Sequence, residues 1–193
     1  MSGFTGNDGS ALAGGFNPSG AVAGLNLDAS GNLKTNTHIR ASLLAGTSFS
    51  ATTGSVTNAG NSVFAGFSVF NPANSGVSIL VHRITFFDNT NNGSHILEAV
   101  TVDPALATAI TPVNRKLGGP ASGASVTFLN TGFATGGTTL DIFSSQDTGL
   151  RDFLLGEDGI LLPKGSAHGI VFAPFFFATQ THFFGITVHW IEY

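Results

Sequence analysis

Residues 159–193, GILLPKGSAHGIVFAPFFFATQTHFFGITVHWIEY, carry the strongest strand signal in the chain. From residue 184 to residue 190 every second side chain is apolar, which is the pattern of a strand with one buried face. Two apolar runs, 160–162 and 169–173, flank a Pro-Lys-Gly turn at residues 163–165, and this arrangement predicts a β-hairpin. The segment therefore predicts a hairpin followed by a long closing strand.

Further strand-like runs precede this segment and are separated by turns rich in Gly, Asn and Pro. They cover residues 63–70, 77–87, 95–102, 125–129, 138–143 and 153–155. About eight to ten short strands without an internal repeat are typical of a sandwich, and eight in one domain favour a jelly roll. We therefore predict an all-β fold: a single jelly-roll-like β-sandwich with an extended N-terminal arm. The only helix predicted begins at Asp103, with Pro104 in its first position, and ends before Pro112.

The chain divides into three regions by composition. Residues 1–37 are mostly Gly, Ser, Ala and Asn with isolated apolar side chains, residues 38–62 form a weakly patterned connecting segment, and residues 63–193 contain the predicted sandwich. The first region has two interpretations. It is either a flexible tail or an extended arm whose sparse apolar residues dock into another chain and become ordered there.

The composition limits the classes of function. Charged residues make up 9% of the 193 residues, against about 25% in ordinary soluble domains. Seven Lys and Arg without a cluster, and a net charge of −4, argue against a nucleic-acid partner. The chain has no cysteine, no signal-peptide pattern and no apolar run long enough for a membrane span. So few charges leave a monomer with little solvating surface, which favours burial against neighbouring subunits.

Candidate catalytic and metal-binding residues do not form convincing constellations. The six histidines, His38, His82, His95, His168, His182 and His189, contain no His-x-His pair. Most carboxylates lie in turns, and only Glu98 and Asp141 fall within predicted strands. The sequence has neither a Gly-x-Ser-x-Gly motif nor a phosphate-binding loop. We therefore expect no enzyme activity, no metal, no cofactor and no small-molecule substrate.

Six phenylalanines crowd into residues 172–184, which places aromatic side chains on both faces of the predicted strands. A sandwich buries one face of each sheet, so the outer aromatic side chains need another cover. Either a loop or the N-terminal segment covers them, or they pack against copies of the same chain in a homo-oligomer. We favour the second interpretation, with oligomer contacts at Phe175, Phe176, Phe177, His182 and Phe183.

Three motifs carry a resemblance to a known group of proteins. They are AITPVNR at residues 109–115, Gly-Ile-x-x-Pro-x-Gly at 159–165 and VHWIE at 188–192. Together they resemble jelly-roll structural proteins of tailed bacteriophages, over about residues 63–193 and through short, loose motifs. Members of that group sit as trimers on the head as decoration (cement) proteins, or form the head domains of fibres.

The resemblance implies a homotrimer on the capsid exterior of a virion. It also implies that residues 1–37 clamp the major capsid protein, through contacts at Phe4, Phe16, Leu25, Leu27 and Leu33. The alternative within the same group is a receptor- or carbohydrate-binding head domain of a tail fibre. That alternative would place its ligand at the loops of residues 88–94 and 147–158.

Overall fold

The computed structural model describes residues 14–16, 22–24, 38–58, 63–89, 94–144, 149–155, 159–177 and 181–193. Its elements in chain order are β1 (Gly14–Phe16), β2 (Val22–Gly24), α1 (His38–Ala45), β3 (Ser48–Thr52), β4 (Val56–Asn58), β5 (Val63–Asn71), β6 (Ile79–Asp88), β7 (Ser94–Val100), β8 (Thr108–Ala109), β9 (Val113–Asn114), β10 (Ser125–Phe133), β11 (Thr138–Ser144), β12 (Gly149–Leu154), β13 (Ile160–Leu162), β14 (His168–Phe176) and β15 (His182–Glu192).

The chain forms two compact units, residues 1–41 and residues 42–193. In the first unit, β1 and β2 pair as antiparallel strands, with Gly14 opposite Gly24 and Phe16 opposite Val22. The second unit contains strands β3 to β15.

The second unit is a sandwich of two antiparallel sheets. One sheet has the strand order β11-β7-β14-β5-β10-β8. The other has the order β12-β6-β15-β3-β9, with β13 added beside β6 and β4 beside β15. Eight of these strands pair in a nested way, as β7 with β11, β6 with β12, β5 with β14 and β3 with β15. Successive pairs alternate between the two sheets, so the chain has the wrapped, Greek-key arrangement of a jelly roll. The predicted all-β, jelly-roll-like sandwich is confirmed.

The closing strand β15 occupies the centre of its sheet, between β6 and β3. Its alternating apolar residues are all buried, as predicted: Phe184, Ile186, Val188 and Trp190. The Trp190 ring stacks on Phe49 of β3 with 6.0 Å between ring centroids. These side chains meet those of the opposite sheet, including Phe172, in one apolar core.

Two features at the start of the chain differ from the sequence prediction. Residues 38–62 were predicted to form only a connecting segment. Strands β3 and β4 lie within this segment and belong to the sheet that contains β6 and β15, so the sandwich begins before residue 63. The signal in β3 was weak because its buried side chains, Phe49 and Ala51, alternate with small polar residues. The same segment also begins with the helix α1.

The hairpin predicted at residues 160–173 is wrong. Strand β13 pairs with β6 in one sheet, whereas β14 pairs with β5 and β7 in the other. The turn at 163–167 therefore crosses between the sheets. The side chain of Asn71 holds this crossover, because its Nδ2 donates to the carbonyls of Leu162 and Pro163 at 3.0 and 3.1 Å.

The helix predicted from Asp103 is also wrong, because residues 103–107 contain no helix. The Asp103 Oδ1 accepts a hydrogen bond from the Ala105 N–H at 2.9 Å, which is a turn rather than a helix cap. Ala105 has a φ of 45°, outside the right-handed helical region. The Asp103 carboxylate thus accepts its hydrogen bond from the backbone two residues further along an irregular stretch of chain.

Candidate functional site

Three exposed phenylalanine side chains collect at one end of the sandwich. Among the described residues, Phe87, Phe177 and Phe183 are 43%, 44% and 46% exposed. Phe87 lies at the end of β6, and Phe183 lies at the start of β15, which pairs there with β6. Phe177 directly follows β14, whose last residue pairs with the first residue of β5. We call this region the aromatic end and define it by Phe64, Phe87, Phe175, Phe177 and Phe183.

On the outer face of the β12-β6-β15 sheet, the aromatic end forms an apolar strip. Phe87 lies opposite Gly185 on one side and opposite Leu150 on the other. Phe183 is the diagonal neighbour of Phe87, at a spacing that aromatic rings can bridge. Gly185 contributes no side chain to this face, and the Gly54 carbonyl oxygen lies over it, 2.8 Å from where a Cβ would be. The strip is therefore a shallow, solvent-facing apolar surface across three strands.

On the other sheet, a short chain of rings completes the aromatic end. The rings of Phe64 and Phe175 meet edge to face with 4.9 Å between centroids. The Phe175 and Phe177 rings meet in the same way at 5.2 Å. Edge-to-face contacts of this kind orient the rings, so Phe177 is held on the surface in a defined position.

Buried polar groups fix the strand ends that carry these rings. The Asp88 Oδ1 lies 3.7 Å from the His182 Nδ1, and both side chains are fully buried. The His182 Nε2 lies 3.4 Å from the Phe177 carbonyl oxygen. Asn89 donates its N–H to the Phe183 carbonyl at 3.1 Å and accepts the Phe183 N–H at its Oδ1 at 2.7 Å. The aromatic end is therefore supported from below by hydrogen bonds and a buried acid–base pair.

The structure divides the five predicted oligomer contacts. Phe175, Phe177 and Phe183 belong to the aromatic end. Phe176 and His182 have no exposed surface and lie inside the sandwich, where their rings contact each other at 4.8 Å, so the prediction that they contact a partner is corrected. Strand alternation is the reason, because each shares the inward row of its own strand.

Phe87 and Leu150 belong to the exposed strip but were not predicted from the sequence. The signal for Phe87 was the Phe86-Phe87 pair within a predicted strand, since adjacent strand residues point to opposite faces. One of the two therefore had to face outward. The register that places Leu150 beside Phe87 is a tertiary fact with no local signal.

Other predicted contacts fall largely outside the described residues. Of the predicted arm contacts, Phe16 lies in β1, and Phe4, Leu25, Leu27 and Leu33 lie outside the described residues. The loops proposed for a ligand-binding head include residues 90–93, 145–148 and 156–158, which are outside them as well. Within those loops, Asp88 is buried and Asp152 forms an ion pair with Arg83 at 2.6 Å.

Two histidines have strongly perturbed titration. Burial, with a contribution from Arg151, lowers the pKa of His95 to about 4; the Arg151 Nη1 lies 3.4 Å from its Nε2. Burial, with smaller contributions from Arg115 and other positive groups, lowers the pKa of His189 to about 4. Both rings are therefore neutral at pH 7. Among the residues that the structure describes, no three His, Asp or Glu side chains are placed to hold a metal ion.

The two strand carboxylates singled out from the sequence do not share a site. Glu98 is 3% exposed and lines one cavity, whereas Asp141 is exposed and lines another. The Asp141 Oδ1 accepts the N–H of Ile142 at 2.8 Å. The arrangement offers no pair of facing carboxylates of the kind that glycoside hydrolysis uses.

Comparison with protein-family models, with curated proteins and with solved structures gives no match to this chain. Over the described ranges, no helix has the length and apolar character that crossing a membrane requires.

Proposed function

We propose that this protein is a virion structural protein: a homotrimer that decorates and stabilises the head of a tailed bacteriophage. In this proposal the sandwich forms the trimer, and residues 1–37 bind the major capsid protein on the capsid exterior. The observation that supports it best is the aromatic end, an exposed apolar surface on a jelly roll whose chain carries only 9% charged residues.

Burial of the aromatic end contributes substantially to association but does not suffice alone. A Phe side chain has about 150–250 Å² of surface, so each ring that is 43–46% exposed presents about 90 Å². At about 25 cal/mol per Å², covering three such rings contributes about 7 kcal/mol. Association costs about 4–15 kcal/mol, so a stable interface must also bury the surface around these rings. A trimer contact of about 800 Å² per partner meets that requirement.

The organisation of the chain supports the attachment half of the proposal. Residues 1–41 and 42–193 form separate compact units, so the first can engage a partner while the second holds the oligomer. Three weak contacts presented by one trimer bind with an avidity that one contact cannot reach. Jelly rolls are frequent in viral capsids and in lectins, but fold alone does not define function.

The composition of purified particles tests the virion half of the proposal. Quantitative mass spectrometry of particles from the virus that encodes the chain should find hundreds of copies per head. A few copies per particle would move the protein to a tail or fibre, and its absence from particles would overturn the proposal.

Deletion of residues 1–37 tests the attachment half. The remaining sandwich should keep its oligomeric mass and its melting temperature but lose binding to purified heads in a sedimentation assay. The matched control is full-length Leu117→Ser, which removes a 98% exposed apolar side chain away from both proposed contact regions. Head binding by the deleted protein would contradict the assignment of the arm.

A further inference from the structure

A second candidate site lies on the outer face of the other sheet, away from the aromatic end. Strand β7 starts at the aromatic end, so Glu98, near its other end, lies towards the opposite end of the sandwich. The two ends of the insertion between β7 and β11 (residues 101–137), at residues 101–104 and 133–137, lie over this part of the sheet. Between the insertion and the sheet is a cavity of about 400 Å³, which is within the usual range of ligand sites.

The cavity is partly apolar and has a carboxylate in its lining. Val100, Pro104 and Phe133 contribute apolar surface, and Thr138 contributes a hydroxyl group. Glu98 is the acidic residue of this lining and is 3% exposed. A ligand in the cavity would therefore meet an acceptor at one point and hydrocarbon surface around it.

The negative charge of Glu98 has weak hydrogen bonds and no counter-ion in the described part of the chain to offset the cost of its burial. Its Oε2 accepts hydrogen bonds from the N–H groups of Gly136 and Gly137, both at 3.3 Å, which is long for a bond to a carboxylate. Among the described residues Glu98 forms no ion pair, and the cavity lining contains no Lys, Arg or His. Burial of a charge is costly unless a counter-charge or good hydrogen bonds accompany it.

Beside Glu98, the chain at Gly137 passes very close to the backbone of β7. A Cβ on Gly137 would lie 2.5 Å from the Ala99 carbonyl oxygen, so the chain passes β7 closely only because residue 137 is glycine. Three basic side chains of the described part have partners elsewhere: Arg83 with Asp152, Arg151 with His95, and Lys116 with the Leu44 carbonyl. The other two basic residues whose side chains the structure describes, Arg115 and Lys164, do not line the cavity, so no described basic side chain provides Glu98 with a counter-charge.

We propose that this cavity binds a cationic group on a short aliphatic stem, an alkylguanidinium or alkylammonium ion, with Glu98 as its counter-ion. The guanidinium or ammonium group hydrogen-bonds the carboxylate, and the stem packs against Val100, Pro104 and Phe133. This inference does not depend on the proposed virion function. The same chemistry is offered by a free small cation and by an arginine or lysine side chain of a partner protein.

Titration calorimetry with butylguanidinium, and with butylurea as its neutral analogue of similar shape, tests the charge requirement on the full chain. We expect butylguanidinium to bind at least tenfold more tightly than butylurea. Glu98→Gln, which keeps an acceptor for the glycine amides, should lose that preference, whereas Asp141→Asn on the neighbouring strand should keep it. Equal binding of the two ligands, or equal losses in the two variants, would overturn the proposal.

A second readout needs no variant and remains valid if Glu98→Gln fails to fold. The backbone amide signals of Gly136 and Gly137 in a ¹H–¹⁵N spectrum should shift on addition of butylguanidinium and stay in place with butylurea. Unmoved glycine signals at saturating butylguanidinium would overturn the proposal. N-acetylarginine methylamide distinguishes the two sources: binding within threefold of butylguanidinium supports a partner's arginine side chain, and much weaker binding supports a free cation.

Discussion

Both faces of strand β15 carry a phenylalanine, but one ring is buried in the core and the other is exposed. Its inward row, Phe184 to Trp190, has no appreciable exposure and meets the opposite sheet. Its outward row begins with Phe183, which is 46% exposed beside Phe87. The same contrast separates Phe176, which is buried, from its neighbour Phe177. A phenylalanine therefore indicates an apolar contact, and only the strand's alternation shows whether that contact is made within the chain or is left for a partner.

The largest expected loss of stability comes from a substitution in the inward row of β15. Trp190→Ala removes a fully buried ring that stacks on Phe49 and donates its Nε1–H to Glu192 at 3.1 Å. We expect a loss of about 3–5 kcal/mol in the free energy of unfolding, measured by urea denaturation. Leu117→Ala is the matched control at a 98% exposed side chain and should change stability by less than about 0.5 kcal/mol. A neutral Trp190 variant would mean that the two faces of β15 are assigned the wrong way round.

Acid should weaken the inward packing more than it weakens the outward row. His95 contacts Phe86 and Phe172 of the core, and burial lowers its pKa to about 4 from 6.5. Because the unfolded chain binds the proton more readily, this contribution is present above pH 6.5 and is lost as the pH falls towards 4. The loss amounts to about 3 kcal/mol for His95.

His189, in the outward row, has its pKa lowered to about 4 over the same pH window but is partly exposed, so we expect it to contribute less. Urea denaturation at a series of pH values checks the effect, and His95→Phe should flatten most of the slope between pH 6.5 and 4. A slope that is unchanged in His95→Phe but lost in His189→Phe would contradict this ranking.

Substitution of Glu192, the last residue of β15, should have an intermediate effect on the free energy of unfolding. The Glu192 carboxylate accepts hydrogen bonds from Ser122 Oγ, from the Gly123 N–H at 3.1–3.2 Å and from the Trp190 Nε1–H. Glu192→Ala leaves these donors without their acceptor, for which we expect a loss of about 2 kcal/mol by urea denaturation. Glu192→Gln keeps an acceptor and should lose less. Equal losses in the two variants would show that charge, rather than the hydrogen bonds, holds the insertion against the strand.

The smallest effect on stability is expected on the outward row. The double variant Phe87→Ser, Phe183→Ser changes half-exposed side chains, and we expect less than about 1 kcal/mol in the unfolding of the monomer. A loss as large as that of Trp190→Ala would show that these rings belong to the core rather than to a surface.

Local patterns predicted most of the strands because alternation along β5, β6 and β15 is a property of adjacent residues. They did not predict that β13 and β14 join different sheets, because an apolar run indicates that a strand is buried but not which strand it pairs with. Phe176 and His182 were misplaced because the alternation that buries Phe172 and Phe184 was not followed to the ends of β14 and β15. The Glu98 cavity could not be predicted, because it exists only where residues 133–137 pack over β7.

The mass of the protein in solution tests the central proposal most directly. Light scattering at equal concentrations should give the native chain close to three times its 19.7 kDa mass. The Phe87→Ser, Phe183→Ser variant should give a single chain mass with an unchanged far-ultraviolet spectrum. A native protein that stays monomeric at high micromolar concentration, or a variant that remains a trimer, would contradict the proposal that the aromatic end is the interface between copies.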